Sequence, residues 1–350
     1  MSRIFEPTRL GALDLANRIV MSPMTRDRAG PDDVPTELMA TYYRQRATAG
    51  LIVTEGTQPC PAGKGYWRTP GIHSAAQIAG WARVAQAVHD EGGRIVMQLM
   101  HVGRVAVIAN RGFAADVIAP SAIACPELVP GPDGVPAACA APRALTAEDL
   151  PALADEFAQA ARNARSAGID GVELHCASGY LVNQFLDRGS NRRDDDYGID
   201  RARFPAMVVA ALAEAIGADR VGIRISPGNP YNAMDPSDPA ETFAPFLAAI
   251  DGLGCAYMHV LDMGLRDFDT LAFVRANWSG PIIANNMLTL ECAEALLANG
   301  AADAVSFGRP FIANPDLVAR FKAGAPLAKP DYALLYTGEH RGYTDYPAMA

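Results

Sequence analysis

The sequence predicts an α/β protein built as a single (β/α)8 barrel, and three observations lead to it. Short apolar runs rich in β-formers recur eight times, Ala/Leu-rich helical patterns separate them, and the runs are continuously apolar rather than alternating. Strands alternating with helices give a parallel sheet, and strands covered on both faces must be apolar throughout. A chain of 350 residues with 50% hydrophobic content can form one such barrel with insertions, so one domain is expected over residues 1–350.

The chain begins with a short segment expected to cap the barrel. The predicted strands are Arg18–Pro23, Leu51–Glu55, Arg94–Leu99, Gly171–His175, Val221–Ser226, Tyr257–Leu261, Pro281–Ala284 and Ala304–Phe307. Helical patterns cover Ser74–His89, Ala147–Ala167, Arg203–Ile216, Pro239–Leu253, Leu265–Trp278 and Leu290–Asn299. Thr146 and Thr289 stand where a hydroxyl can accept from an unpaired backbone N–H and so cap a helix. Residues 104–143 break the alternation, carrying Pro120, Pro126, Pro130, Pro132, Pro136 and Pro142 with no helical period. This reads as a segment inserted after the third strand, capping the barrel mouth and able to form a β-hairpin. The polar, aromatic tail from Pro326 is expected to pack back on the barrel.

The formal net charge of −9 argues against a nucleic-acid partner, which would call for a basic surface. The opening MSRIFEPTRL has no export-type apolar run, and no later stretch is long and apolar enough for a membrane span. Cys60, Cys125, Cys139, Cys176, Cys255 and Cys292 form no CxxC pair, which argues against a zinc or iron–sulfur site. A cytoplasmic, reducing location is the expectation.

In such a barrel the active site lies at the C-terminal ends of the strands. Read there, the chain presents Pro23-Met24-Thr25 after strand one, Gln98 in strand three, His175 in strand four and Arg224 in strand five. Asn285-Asn286 follow strand seven and Gly308-Arg309 follow strand eight. Each alone has a structural explanation, such as a satisfied backbone group or a buried ion pair. Six polar strand ends on one face are harder to dismiss, because buried polar groups need partners. The stretch VELHCASGY brings an imidazole, His175, and a phenol, Tyr180, to one strand end, which suits polarising a carbonyl and donating a proton. Gly308 permits close backbone approach and Arg309 offers a fork matched to phosphate oxygens, so a phosphorylated ligand fits there.

Together, LGALDLANRIVMSPMTRDRA, QLMHVGR, GVELHCASGYLVNQF, SNRRDDDYG, SFGRPFIANPDLV and GYTDYP resemble the Old Yellow Enzyme family of flavin-dependent ene-reductases. The resemblance runs nearly the full length and implies a (β/α)8 barrel holding FMN. It implies that Thr25 tunes the flavin, Gln98 holds its pyrimidine edge and Arg224 lies near N1 and the C2 carbonyl. Pro23, Met24 and Gly56 join the flavin-binding set, and Gly308, Arg309, Asn285 and Asn286 the phosphate region. His175 is implied to donate to the carbonyl of an α,β-unsaturated substrate, Tyr180 to protonate its α-carbon, and Tyr66, Met100 and Tyr336 to line the pocket. NADPH or NADH is the implied reductant.

The chain departs from the family pattern at three places. Ser178 stands where a second His or Asn usually grips the substrate oxygen, Met100 where Trp is common, and Asn285-Asn286 where glycine is common. A serine hydroxyl can donate one hydrogen bond, but its short side chain sits further from the substrate. Losing one donor to a developing oxyanion would cost about 2.7–4 kcal/mol. Three rival readings follow: a flavin-dependent isomerase, a dehydrogenase on the same scaffold, and a non-catalytic flavin-binding protein. Cys176, beside His175, is read as buried rather than nucleophilic, and Asp194-Asp195-Asp196 as a hydrogen-bonded loop rather than a metal site.

Overall fold

A computed structural model describes residues 2–349. Its centre is a closed barrel of parallel strands β1 (Ile19–Met21), β2 (Leu51–Val53), β3 (Ile95–Leu99), β4 (Gly171–Cys176), β5 (Val221–Ile225), β6 (Tyr257–Leu261), β7 (Ile282–Asn285) and β8 (Ala304–Phe307). Each lies within or next to its predicted run. Neighbours in sequence are neighbours in space, and β8 closes on β1 through Val305↔Ile19.

The barrel interior is layered. Odd strands contribute Val20, Val96 and Ile283 low down, with Gly222 completing the level where Tyr257 needs the space. A Cβ on Gly222 would fall 2.2 Å from that ring. Alternate strands supply alternate layers in this fold, so the next odd layer, two residues higher, is Ser22, Gln98, Arg224 and Asn285. Between the two odd layers lies an even layer of Val53, Glu173, His259 and Ser306. The interior is therefore apolar at the bottom and polar towards the C-terminal mouth.

The bottom is closed by an antiparallel hairpin, Thr8–Leu10 with Leu13–Leu15. Leu10, Leu13 and Leu15 are buried against Val20, Leu51, Val96 and Tyr257, each contributing about 1.5–3 kcal/mol of burial. Its turn needs Gly11 at φ +57°, where a Cβ would sit 2.2 Å from the Asp219 carbonyl.

Each predicted helical pattern forms a helix, with some shifted boundaries, and further short helices appear that the sequence did not announce, among them Leu181–Leu186 and Leu317–Ala323. The helix expected from Leu265 starts at Thr270, because the Asp269 carboxylate caps the Ala272 N–H. Thr146 does not cap the next helix with its hydroxyl; its own N–H donates instead to Asp149, which also binds Arg143. The helix Glu37–Arg44 was not read from the sequence; it is capped by Thr36. Within residues 104–143, Leu128–Pro130 pairs antiparallel with Pro136–Ala138, the hairpin anticipated there. Its Val129 packs with Val105, Val107, Val117, Cys125 and Cys139 in a small core that also touches Met100, Tyr66 and Tyr180. The tail returns to the barrel, stacking Tyr343 on Tyr42 at 4.0 Å between ring centroids.

Candidate active site

Strand β4 carries His175 to the mouth of the barrel, where it is 7% exposed. The chain then turns through two left-handed residues, Ser178 at φ +56° and Gly179 at φ +75°. A left-handed non-glycine residue costs about 1–3 kcal/mol, so its surroundings must hold it. The Ser178 N–H donates to Ser226 Oγ at 2.9 Å, and its carbonyl accepts from Asn232 Nδ2 at 2.8 Å. Its hydroxyl accepts a longer bond, 3.4 Å, from Asn229 Nδ2. The turn folds Tyr180 back beside His175, with ring centroids 5.1 Å apart. The Tyr180 hydroxyl lies 2.8 Å from that of Tyr66.

His175, Ser178 and Tyr180 line an inner chamber of about 180 Å³. Its other walls are Pro23 and Thr25 after β1, Gly56 after β2, Gln98 and Met100 at the end of β3, Arg224 of β5, and Tyr231. Gly56 lies hard against Met100: a Cβ there would come within 2.6 Å of the thioether. Outside it lies a larger chamber of about 690 Å³, bounded by Asp27, Tyr66, Arg68, Tyr231, Tyr336 and the hairpin tip at residues 130–134. Thr25, Tyr180 and Tyr231 border both.

Burial, reinforced by the Arg224 charge, lowers the His175 pKa to about 3, so its imidazole is neutral at ordinary pH. Its Nδ1 is buried without a partner. Burial pushes the Tyr180 hydroxyl well above the usual phenol range, so it keeps its proton. The chamber therefore presents a neutral imidazole, a protonated phenol, an amide, a hydroxyl and a guanidinium around one space. Such a donor-rich set suits a flat ring system with several carbonyl and imine acceptors, as a flavin has.

The remaining predicted residues lie apart from the inner chamber. Asn285 turns into the barrel: its Oδ1 accepts from Arg224 at 2.7 Å and its Nδ2 donates to Ser22 Oγ at 3.2 Å. Gly308 and Arg309 lie on a separate rim, where the exposed Arg309 guanidinium stands 5.9 Å over Tyr332, and Asn286 lies beside Gly264. Met24 lies beside Gly308. Cys176 is fully buried. Asp195 pairs with Arg193 and caps Asp196–Ile199. Among the described residues no group of three or more His, Cys, Asp or Glu is arranged to hold a metal ion.

The sequence reading missed Tyr231, Glu173 and His259. Tyr231 sits on a loop held by Arg104, which donates to the carbonyls of Asn232 and Ala233; no local pattern marks it. Glu173 and His259 carried a usable signal, since each is an ionisable residue inside a strand covered on both faces.

The model of the NADH:flavin oxidoreductase / NADH oxidase family matches residues 3–328. A probable flavin mononucleotide-dependent alkene reductase of Leishmania infantum is 39% identical over 99% of this chain and 97% of its own length. The solved Old Yellow Enzyme homologue of Zymomonas mobilis superposes with a TM-score of 0.95 at 40% identity, covering 99% of each chain. Morphinone reductase in complex with tetrahydroNAD superposes at 0.94 with 42% identity, over 99% of this chain and 98% of that one.

Proposed function

The chain belongs to the NADH:flavin oxidoreductase / NADH oxidase family, which includes the Old Yellow Enzymes, and from that premise we propose that it is an FMN-dependent ene-reductase. Its substrates are α,β-unsaturated carbonyl or nitro compounds, and its reductant is NADPH or NADH. The observation that carries the reading is the pairing of neutral His175 with protonated Tyr180 over a floor made by Thr25, Gln98 and Arg224. The relative named as an alkene reductase and the neighbour solved with tetrahydroNAD support it.

In this reading Gln98, Arg224 and Thr25, which line one chamber, would hold the FMN ring through hydrogen bonds to its polar atoms. Pro23, Met24 and Gly56 shape the ring's surroundings, and Asn286, Gly308 and Arg309 hold the phosphate. Asn285 acts by fastening Arg224. When bound, FMN would supply the hydride-transfer chemistry, with NADPH or NADH as the source of its reducing equivalents. His175 donates a hydrogen bond to the substrate oxygen, drawing electron density away from the double bond. Being neutral, it polarises this oxygen without delivering a full proton. Tyr180 gives its proton to the α-carbon, and Tyr66, 2.8 Å away, hydrogen-bonds the phenol as its charge changes. Ser178 supplies the second, weaker contact to the oxygen, while Met100, Tyr66 and Tyr336 shape the approach. The six free cysteines suit a reducing compartment such as the cytoplasm.

The test is the anaerobic visible spectrum of the purified protein before and after NADPH, then after 2-cyclohexenone. A yellow protein that bleaches and regains its colour has completed the cycle. Bleaching without recovery would count against enone reduction, and a protein unable to take up FMN would remove the premise of the site.

A further inference from the structure

Directly beneath the chamber floor the barrel buries a carboxylate that the chemistry above does not use. Glu173 is 0% exposed, as is His259. One carboxylate oxygen of Glu173 accepts from Gln98 Nε2 at 2.9 Å, and the other lies 2.8 Å from His259 Nδ1. On its far side, His259 Nε2 is 2.6 Å from an Arg224 terminal nitrogen and 2.8 Å from Ser306 Oγ. A guanidinium can only donate, so His259 Nε2 is bare and its proton sits on Nδ1, facing Glu173. Burial alone would raise the Glu173 pKa, but His259, Arg224 and Gln98 together outweigh it and hold the carboxylate ionised. His259 itself is lowered to about 4, first by burial and then by Arg224, and is neutral. The chain thus runs from anion through neutral imidazole to cation, with the two floor residues Gln98 and Arg224 tied to the same carboxylate.

An apolar layer would fill this level of the barrel at lower cost, because replacing buried ion pairs with well-packed hydrophobic residues is often neutral or stabilising. Val53 fills the β2 position of the same layer. We propose that Glu173 and His259 are positioning residues that fix Gln98 and Arg224 against the flavin and set how much of the Arg224 charge it feels, and so set its reduction potential without touching it. The inference rests on the FMN reading of the floor.

Glu173→Gln keeps the shape and removes the charge. The new amide would also present a donor to His259 Nδ1, forcing the other tautomer and breaking the acceptor that Arg224 uses. With its counter-charge gone, Arg224 favours the anionic reduced flavin, so the ratio of reduced to oxidised FMN affinity rises. A rise of about tenfold is expected for one charge at this range, which is about 30 mV towards positive for a two-electron couple. His259→Gln leaves the formal charge unchanged but loosens the hold on Arg224, so the flavin feels less of the cation and a smaller shift towards negative is expected, together with weaker FMN retention.

The measurement is spectroelectrochemical titration of the FMN-loaded wild type and both variants, with FMN release followed by its fluorescence. Potentials shifted in the stated directions, positive for Glu173→Gln and negative for His259→Gln, support the proposal. If Glu173→Gln does not fold, the His259→Gln potential decides. A folded, FMN-loaded variant of either kind that titrates at the wild-type potential overturns it and leaves Glu173 a packing residue. Wild-type protein that holds no FMN would instead remove the reading beneath, a distinguishable result.

Discussion

At the scale of single residues, the site turns on side chains whose protonation is set by burial. Tyr180→Phe removes the phenol proposed as proton donor and leaves the ring, so oxidation of the reduced enzyme by an enone should slow by about two to four orders of magnitude. Reduction by NADPH should be nearly unchanged; stopped-flow traces in which both half-reactions slow equally would reassign the proton donor. His175, with a pKa near 3, stays neutral across the working range, so its titration should leave no inflection in the pH profile of enone reduction between about pH 5 and pH 8. An inflection there that vanishes in His175→Asn would show that the imidazole titrates. At Ser178 the left-handed backbone makes Asn a compatible replacement, and a longer donor should reach a phenolate in the chamber. Ser178→Asn should tighten phenol binding, seen as a stronger long-wavelength charge-transfer band; an unchanged titration would make the position irrelevant to ligands. The gathering of Gln98, His175 and Arg224 in one chamber was legible because several polar strand ends on one barrel face are harder to explain by packing than any one of them. Tyr231 was not, since its place depends on the Arg104 bonds to a loop distant in sequence.

At the scale of elements, the strands were legible because a parallel barrel demands uninterrupted apolar runs, and helix starts were less so because several residues near each start can serve as cap. Asp269 displaced an expected boundary by offering a carboxylate where the periodicity alone gave no preference, and the Asp149 carboxylate takes the Thr146 N–H where the Thr146 hydroxyl was expected to cap. The hairpin inside residues 104–143 was legible from the clustering of prolines, whereas its contact with Tyr66 and Tyr180 was not. The barrel layers make a sharper demand than periodicity does: β5 must have no side chain at Gly222, since the neighbouring Tyr257 ring occupies the space. Gly222→Ala should overpack this layer and cost about 1–3 kcal/mol. Chemical denaturation should show a lower midpoint with an unchanged slope, and an unchanged midpoint would mean that the Tyr257 ring can move aside freely.

At the scale of the whole molecule, the tail is fastened to the barrel by a cluster that joins distant parts of the chain. Arg26 donates to the carbonyls of Leu335 and Gly342, and Arg46 to those of Phe311 and Ile312. Sequence could suggest that an aromatic tail returns to the barrel, but not where, because the acceptors are backbone carbonyls with no residue signature. At the centre of the cluster, Glu55 accepts from the Tyr43 hydroxyl at 3.3 Å. Burial, then the nearby Asp27, pushes the Glu55 pKa up to about 8, and burial pushes Asp27 up to about 7. In the unfolded chain both carboxyls titrate near 4, so the folded protein binds more protons through the intervening range. Their contribution to stability is therefore complete below about pH 4 and is lost as pH rises towards 8. Surface carboxylates such as Asp149 beside Arg143 and Asp195 beside Arg193 act in the opposite sense, losing stability as pH falls. A melting curve against pH mixes the two, but the difference between wild type and Glu55→Gln isolates the buried group. The variant should lose less stability than wild type between about pH 5 and pH 8, by an amount on the order of a few kcal/mol. Parallel Tm curves for the two proteins across that range would mean that Glu55 is ionised in the fold and that the arginines, not a proton, balance it.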